Sequence, residues 1–353
     1  MAREALFAKK GLPGPLPKNS YPLQPLPPLA TCCHARCLTA RPVKPDDCRP
    51  ELKALNLSPV IPGTFGRSRA IVEKKSDIRR LFREHGLSPK KWMGQNLLVD
   101  SSYLEKIVAA AKIQPHEPIV EIGAGFGVLT EALVREHARV WALELDAGFF
   151  RVLQEKFLDR PEVTLIHADA LKYDFRALAE KLGRLRVVAN LPYNISSLLI
   201  FRSYENRDIF GSLCILLQKE VAERLIAKPR TKEYGVLTVL LGASAIVEAL
   251  FHIPAKAFFP EPEITSTLVR ITFPDPPPVQ VKDWNVLTRL VKASFSGRRK
   301  TLRNALRNNR ALGAVWEHVL AASNAAQVDL GRRAETLSAE EFGHFADELH
   351  ARA

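Results

Sequence analysis

Short apolar runs alternate with amphipathic stretches between residues 118 and 227. The apolar runs are rich in Val, Ile and Leu, which is typical of strands buried inside a sheet. Helical spacing is found in the intervals, for example in GVLTEALVREH and QKEVAERLIA. The alternation predicts an α/β fold with a parallel sheet covered on both faces. The predicted strands are PIVEI (118–122), RVWALEL (139–145), VTLIHA (163–168), RVVAN (186–190) and SLCILL (212–217).

The pattern changes on both sides of this region. SDIRRLFREHGL (76–87) begins with a Ser cap and predicts a helix that ends at Gly86. AIVEALFHI (245–253) and STLVRITF (266–273) are close enough in sequence to complete the sheet as antiparallel strands. PDPPP (274–278) is typical of a linker, and the chain beyond it has helical spacing almost throughout. The predicted helical segments there are WNVLTRLVKASF, RRKTLRNALRNN, GAVWEHVLAAS and SAEEFGHFADELH.

The N-terminal part of the chain has a different composition. Residues 1–62 contain twelve of the 25 prolines, so we expect disorder there. A transit peptide is one alternative, although such peptides contain few acids and this segment contains four; an extension without function is another. We therefore predict a Pro-rich extension (1–75), an α/β domain (76–275) and a smaller all-helical domain (276–353).

Composition and charge restrict the class of protein. The formal net charge is +13 and the pI is about 9.6, which favours a polyanionic partner such as nucleic acid. No apolar run approaches the roughly 18 residues of a membrane span, so no membrane partner is expected. Four of the five cysteines lie in the first 48 residues, which leaves Cys214 for the folded part and favours a reducing compartment. The early cysteines lack a paired CxxC, so no metal is expected.

A glycine-rich loop follows the strand PIVEI directly. Gly123, Gly125 and Gly127 lie between this strand and a helix, where glycine lets the backbone turn sharply and approach a ligand. The spacing is GxGxG and not the GxGxxG of dinucleotide-binding proteins. The loop alone is a weak signal, because many strand–helix turns contain glycine.

Acidic residues at the ends of predicted strands strengthen that signal. Glu121 precedes the loop, and Glu144 can accept hydrogen bonds from both hydroxyls of a ribose. Asp169 follows the third strand and could accept from the exocyclic amine of adenine. Because open α/β sheets bind ligands at the carboxyl ends of their strands, the set predicts an adenosine-containing cofactor. The GxGxG spacing and the chemistry described next favour S-adenosylmethionine over NAD.

The fourth predicted strand ends in NLPY (190–193). The lone pair of an adenine N6 is delocalised into the ring, and two acceptors on its hydrogens would raise its nucleophilicity. Asn190 Oδ1 and the Leu191 carbonyl are suitable acceptors, and Pro192 fixes the loop. Tyr193 offers a ring on which a flipped-out base can stack. A Pro turn with a partly buried Tyr is the simpler interpretation, but its place at a strand end of this sheet favours catalysis.

With these motifs, the chain resembles the bacterial small-subunit ribosomal RNA adenine N6,N6-dimethyltransferases. The resemblance extends from about Lys90 to Leu349. It implies a Rossmann-like S-adenosylmethionine-dependent methyltransferase sheet followed by a helical domain. The motifs that carry it are KKWMGQNLLVD, VEIGAGFGVLT, ALELD, HADAL, VVANLPYNIS, LLQKEVAERLIAKPRTKEYGVLTV, IPAKAFFPEPEITSTLVR, SFSGRRKTLRNAL and RRAETLSAEEF.

The resemblance also implies roles for individual residues. The segment GQN would lie over S-adenosylmethionine, and Phe258 of FFPEPEITS would close over the target adenine opposite Tyr193. The implied cofactor-binding residues are Asn96, Leu98, Gly123, Gly125, Glu144, Asp169 and Asn190. Three positions depart from the family pattern: Ala124 and Glu261 replace prolines, and Gly297 replaces a polar residue. The three departures are expected to change the rigidity of the loop and the affinity for the substrate more than the type of reaction.

A basic stretch favours RNA as the partner. Residues 281–310 contain nine Lys or Arg and one acid, Asp283. On a helix starting near Gly297, Arg299, Arg303, Arg307 and Arg310 would share one face and follow phosphates. A solvated helix face is the alternative, but it would carry interspersed acids. The predicted RNA-binding residues are Arg298, Arg299, Lys300, Arg303 and Arg307, and a second basic cluster precedes the α/β domain.

The resemblance implies four methyl transfers, two on each of two adjacent adenines in the 3′-terminal hairpin loop of small-subunit (16S-type) rRNA within a pre-30S-like particle. An oxidoreductase would share the glycine loop and Glu144 but leaves NLPY unexplained. An assembly or transcription factor that keeps the fold but has lost catalysis is the second alternative. It is disfavoured by four intact residues: Asn190, Tyr193, Glu144 and Asp169. Because the motifs resemble bacterial forms, we expect a cytoplasmic monomer, with a plastid or mitochondrial location as the alternative if residues 1–75 are a transit segment.

Overall fold

The computed structural model describes residues 75–90 and 93–352, and nine strands lie within these ranges. Each buried strand begins and ends close to the apolar run that predicts it. The strands are β1 Leu97–Leu98, β2 Pro118–Ile122, β3 Arg139–Glu144, β4 Val163–His167, β5 Leu185–Asn190, β6 Phe210–Gln218, β7 Ile246–Ile253, β8 Phe258–Phe259 and β9 Ser266–Thr272.

Seven of these strands form one sheet in the order β4-β3-β2-β5-β6-β9-β7. The first five are parallel, whereas β9 pairs antiparallel with both β6 and β7. Strand order reverses between β2 and β5, so their carboxyl ends border a crevice where α/β sheets bind ligands. The antiparallel completion of the sheet is confirmed. The insertion of β9 between β6 and β7 was not predicted.

Helices connect the strands and form the C-terminal part of the described residues. Side chains of Asp100, Asp146 and Asp174 cap three of the connecting helices by accepting hydrogen bonds from main-chain N–H groups. The helices are α1 Lys75–Glu84, α2 Ser101–Ala111, α3 Val128–Arg135, α4 Ala147–Lys156, α5 Phe175–Leu182, α6 Ser196–Glu205, α7 Lys219–Leu225, α8 Val236–Ser244, α9 Trp284–Ser294, α10 Leu302–Arg307, α11 Arg310–Ala314, α12 Trp316–Ala325 and α13 Ala339–His350.

Alternate residues of the central strands belong to different hydrophobic clusters, one on each face of the sheet. The larger cluster continues from Val187 and Ile215 to Leu287 and Phe342 of the C-terminal helices. This cluster therefore spans the sheet and the C-terminal helices, and the described residues lie within one compact unit. A domain boundary at residue 275 stays a prediction.

The predicted helix starting near Gly297 is wrong. Helix α10 begins only at Leu302, because the Thr301 side chain caps it by accepting from Asn304 N. It ends at Arg307, and α11 begins at Arg310 after a separate cap. Arg299 and Arg310 therefore lie outside α10, and the four arginines do not form a stripe on one helix. Ser76, predicted as a cap, lies inside α1.

Several sequence predictions concern residues that are not described. The extension 1–74, including the four early cysteines, lies outside the described residues. Within the described part of the chain, no helix has the length and apolarity needed to cross a membrane. The same part contains no group of His, Cys, Asp and Glu side chains arranged to hold a metal ion. Cys214 is a buried free thiol.

Candidate active site

One cavity lies at the carboxyl ends of β2, β3, β4 and β5. A segment that precedes β1, residues 93–96, and the first residue of β1 form its remaining wall. The cavity brings together most of the predicted site residues, from five separate stretches of the chain. Those that line it are Asn96, Gly123, Gly125, Glu144, Asp169, Asn190, Leu191 and Pro192.

The glycine loop approaches this cavity in a left-handed backbone conformation. Gly123 and Gly125 have φ angles of 78° and 56°. A side chain at Gly125 would be strained by that φ, and its Cβ would come within 2.7 Å of Leu97 Cδ2. Glycine is therefore required here both for the turn and for the close approach of the segment over the cavity.

Glu144 holds the loop in place from the end of β3. Its Oε2 accepts a hydrogen bond from Gly125 N at 2.8 Å, and its Oε1 accepts from Asp146 N at 2.8 Å. Burial raises the pKa of Glu144, although the main-chain donors act in the opposite direction. Each carboxylate oxygen keeps a further lone pair, so the side chain can still accept from a ligand hydroxyl that enters the cavity.

A second buried acid lies behind the loop. Glu121 accepts from Thr130 Oγ1 at 2.5 Å, and burial raises its pKa to about 8. Burial lowers the pKa of Lys156 to about 8, and its Nζ donates to the carbonyls of Phe126 and Gly127 at 3.2 and 3.0 Å. Glu121 does not line the main cavity but a smaller one beside it. Lys156 therefore supports the loop from its buried side, whereas Glu121 is bonded to α3.

The segment over the cavity, residues 93–96, is fastened to both neighbours. Asn96 O accepts from Asn190 Nδ2 at 2.7 Å, which joins it to NLPY. On the other side, Gln95 Nε2 donates to Asp146 Oδ2 at 3.4 Å. The Lys90 ammonium also contacts Asp146 Oδ2, at 2.7 Å. We call residues 93–96 the lid and the Lys90–Asp146 ion pair its latch.

The contact with Asn96 also fixes the orientation of the Asn190 amide. Because Nδ2 is used as a donor to the Asn96 carbonyl, Oδ1 is the group that the amide can present to a ligand. Asn190 lines the cavity together with Pro192. The amide thus presents an acceptor at the end of β5, as the proposed chemistry requires.

Tyr193 lies next to the cavity, and it is held at its hydroxyl and at its main chain. Its hydroxyl is 2.6 Å from Ser266 Oγ, and its carbonyl accepts from Ser196 Oγ at 3.1 Å. Burial raises the pKa of the Tyr193 hydroxyl, so it is protonated at neutral pH.

Leu98 and Phe258 are placed differently from the other predicted site residues. They face each other in the antiparallel pair β1–β8, and both belong to the hydrophobic cluster on one face of the sheet. Leu98 borders the smaller cavity, and the Phe258 side chain has no exposed surface. Their predicted contacts with cofactor and base stay predictions.

The predicted RNA-binding residues are exposed and lie within α10 or in the few residues before it. Within the described ranges, none of these five side chains forms an ion pair with an acid. The guanidinium of Arg298 donates to the carbonyl of Lys232, in the loop between α7 and α8. That loop carries three more exposed cations, Lys228, Arg230 and Lys232. The two segments therefore form one basic surface.

Three residues of the site were missed by sequence reasoning. Gln95 and Asp146 fasten the lid, and Ser266 holds Tyr193. Each lies inside a motif that had been singled out, so the signal was present. Only the fold shows that these motifs touch.

Comparisons with known proteins agree with this arrangement. Residues 86–350 match the family described as Ribosomal RNA adenine dimethylase, which includes every segment that lines the cavity. The chain is 41% identical over 271 residues to a Ribosomal RNA small subunit methyltransferase A of Desulfitobacterium hafniense, covering 77% of this chain and 96% of that protein. A protein of the same description from Geobacter metallireducens is 41% identical over 262 residues, covering 74% and 95%.

A solved structure shows the same fold. The crystal structure of a dimethyladenosine transferase from Plasmodium falciparum has a TM-score of 0.59 at 24% identity, covering 70% of this chain and 95% of that one. The resemblance inferred from the motifs is thus confirmed, and this chain belongs to the ribosomal RNA adenine dimethylase family.

Proposed function

We propose that this protein transfers methyl groups from S-adenosylmethionine to N6 of two adjacent adenines in the 3′-terminal hairpin loop of small-subunit rRNA. The products are N6,N6-dimethyladenosines, and the reaction belongs to small-subunit biogenesis. The observation that carries the proposal is the Asn190 amide, whose Oδ1 is presented at a cavity bordered by the glycine loop and Glu144. The relatives' descriptions support small-subunit rRNA as the substrate.

The residues that line the cavity fit S-adenosylmethionine. Glu144 has acceptor capacity for ribose hydroxyls, and the Asp169 carboxylate, half-buried in the same wall, can accept from an adenine amine. Leu145 is 50% exposed at the cavity, which provides an apolar surface for the adenine ring. When bound, the cofactor supplies an electrophilic methyl group on a sulfonium.

The protein's own residues act on the target amine. Asn190 Oδ1 and the Leu191 carbonyl accept its two N–H groups and hold the nitrogen lone pair in one direction. The pinned Tyr193 ring supports the base by stacking, worth about 1–3 kcal/mol. No general base is required, because the proton leaves only after the nitrogen has become cationic.

The basic surface around α10 is proposed to bind the rRNA backbone. Its cations lack ion-pair partners among the described residues, so they are available for phosphates. Positive charge of this kind positions a nucleic acid without reading its sequence. Action on a pre-30S-like particle, a monomeric state and a cytoplasmic location are further parts of the proposal.

Methyl incorporation into unmethylated small ribosomal subunits tests the proposal. With labelled S-adenosylmethionine, the wild type should give N6,N6-dimethyladenosine, and Asn190→Ala should lose at least about 100-fold in rate, since charge-developing steps depend on such acceptors. Asn324→Ala, on an exposed position of α12, is the matched control and should keep the wild-type rate. Binding without transfer by the wild type would favour the assembly factor, and binding of a nicotinamide cofactor would favour the oxidoreductase.

A further inference from the structure

The hydrogen bond between Tyr193 and Ser266 connects the catalytic loop to the antiparallel part of the sheet. The two oxygens are 2.6 Å apart, and Ser266 has no exposed surface. Ser266 is the first residue of β9 and pairs with Gln218 of β6 on one side and with Ile253 of β7 on the other. The anchor of the Tyr193 hydroxyl is therefore held by strands on both sides.

The other end of Tyr193 is fixed as well. Its carbonyl accepts from Ser196 Oγ, and Ile195 N donates to Pro192 O at 3.2 Å in the turn that leads into α6. A ring that is held at both its main chain and its hydroxyl has one orientation before any base arrives. When a base stacks on this ring, no entropy is lost in ordering the ring, because the ring is already ordered.

We propose that Ser266 is a positioning residue that fixes the Tyr193 ring, and that this bond governs whether the second methyl group is added. The inference rests on the proposed function. In each transfer the N6 lone pair forms a bond to the methyl carbon while the carbon–sulfur bond breaks, its electron pair stays on sulfur, and N6 then releases one proton to water.

The two transfers depend on the ring to different extents. An unmodified adenine offers two N6 hydrogens, one for Asn190 Oδ1 and one for the Leu191 carbonyl. After the first transfer a single N–H remains, so one of these hydrogen bonds is lost. Stacking on Tyr193 then carries a larger share of the orientation, and a loosened ring should slow the second transfer more than the first.

The product ratio provides the test. Small subunits are incubated with the enzyme until every target adenine has received its first methyl group. N6-methyladenosine and N6,N6-dimethyladenosine are then quantified by mass spectrometry. Ser266→Ala and Tyr193→Phe each remove the hydrogen bond and should raise the mono-to-dimethyl ratio about three- to tenfold, the range expected for one hydrogen bond. Because both remove the same interaction, the double variant should show no larger change than either single variant.

Controls separate positioning from a structural role. Ser244→Ala is the matched control, because Ser244 is also buried and its hydroxyl donates to Leu240 O within α8. It should keep the wild-type ratio even if it lowers the unfolding temperature. Ser266→Thr retains the hydroxyl and should keep the ratio close to that of wild type. The affinity for S-adenosylmethionine, measured by calorimetry, should be unchanged in Ser266→Ala and Tyr193→Phe.

Some results would overturn the role of Ser266 without contradicting the proposed function. A wild-type ratio in Ser266→Ala, or effects of the two substitutions that multiply in the double variant, would show that the bond does not set the product. If Ser266→Ala does not fold, Tyr193→Phe alone decides, and a wild-type ratio there overturns the inference. If the wild-type protein did not methylate N6 at all, the proposed function itself would be contradicted.

Discussion

Glu121 and Glu144 are both buried acids next to the glycine loop, yet they face different surroundings. Glu144 borders the main cavity and bonds two main-chain N–H groups. Glu121 bonds the hydroxyl of Thr130 and borders only the smaller cavity. The sequence analysis placed both acids in one ligand-binding set, because both lie near the end of a predicted strand. Which cavity each side chain borders depends on the tertiary structure.

Glu121 should make the stability of the protein depend on pH. Burial raises its pKa to about 8, so the folded state holds this proton where the unfolded chain has lost it. The stabilisation is complete below the ordinary pKa of a glutamate and is lost progressively as the pH rises from there through about 8. Glu121→Gln cannot ionise, so from pH 5 to pH 8 it should gain stability relative to wild type, by at most about 1.4 kcal/mol per pH unit.

Urea unfolding at several pH values between 5 and 8 measures this difference. The window avoids Lys156, whose lowered pKa affects stability above about pH 8. Glu220→Gln, on an exposed position of α7, is the control and should follow the wild-type pH dependence. If the free energies of unfolding of wild type and Glu121→Gln changed in parallel with pH, the prediction would be contradicted.

The lid is a short segment, and its residues are not part of a strand, since strand pairing begins only at β1. Its position therefore depends on contacts with the N-terminus of α4 and with β5. The latch joins it to α4, whose N-terminus is capped by the same Asp146. Burial acts to raise the pKa of Asp146, but the Lys90 ammonium and the main-chain donors outweigh it, and the pKa is lowered. Asp146 is therefore ionised at neutral pH, which keeps the latch closed.

Breaking the latch should speed the release of S-adenosylmethionine. Lys90→Met keeps the length of the side chain but removes the ion pair, so dissociation should be about two- to fivefold faster, as expected for a pair whose cation is partly exposed to solvent. Stopped-flow displacement of a fluorescent cofactor analogue measures the rate. Lys181→Met, on an exposed position of α5, should leave the rate unchanged. A wild-type rate in Lys90→Met would show that the lid is held by Asn96 and Gln95 alone.

In the whole molecule, the basic surface depends on contacts between distant segments. Arg230 N donates to Glu335 O at 2.7 Å, and Tyr234 Oη donates to Leu337 O at 2.9 Å. These bonds dock the α7–α8 loop against the segment before α13. They bring the cations of that loop next to those around α10, which are about 70 residues away in sequence.

Neutralising this surface should weaken rRNA binding in a salt-dependent manner. A triple variant with Arg299→Gln, Lys300→Gln and Arg303→Gln should reduce the slope of log affinity against log salt by about two, if each cation contacts one phosphate. Filter binding between low and moderate salt measures the slope. Replacing Lys106, Lys112 and Lys181 by Gln removes the same charge from other elements. An equal loss of slope in that control would indicate that net charge, and not this surface, binds the RNA.

The sequence by itself determined the strands, the order of the motifs and the chemistry of the family. The central parallel strands can be predicted from the sequence because most of their residues are apolar, and β2 has the bounds that its apolar run predicts. The need for glycine in the loop is equally local, because a left-handed backbone is strained for most residues that carry a side chain. These features depend on neighbours along the chain and can be read from one sequence.

Only the tertiary structure decided which motifs touch. The bonds from Asn190 to Asn96, from Lys90 to Asp146 and from Tyr193 to Ser266 cross 94, 56 and 73 positions of the chain. No local pattern encodes such a contact, because it depends on where the sheet places two strand ends. The α10 error has the same origin: helical spacing was present, but the cap at Thr301 and the packing of Leu302 set the start of the helix.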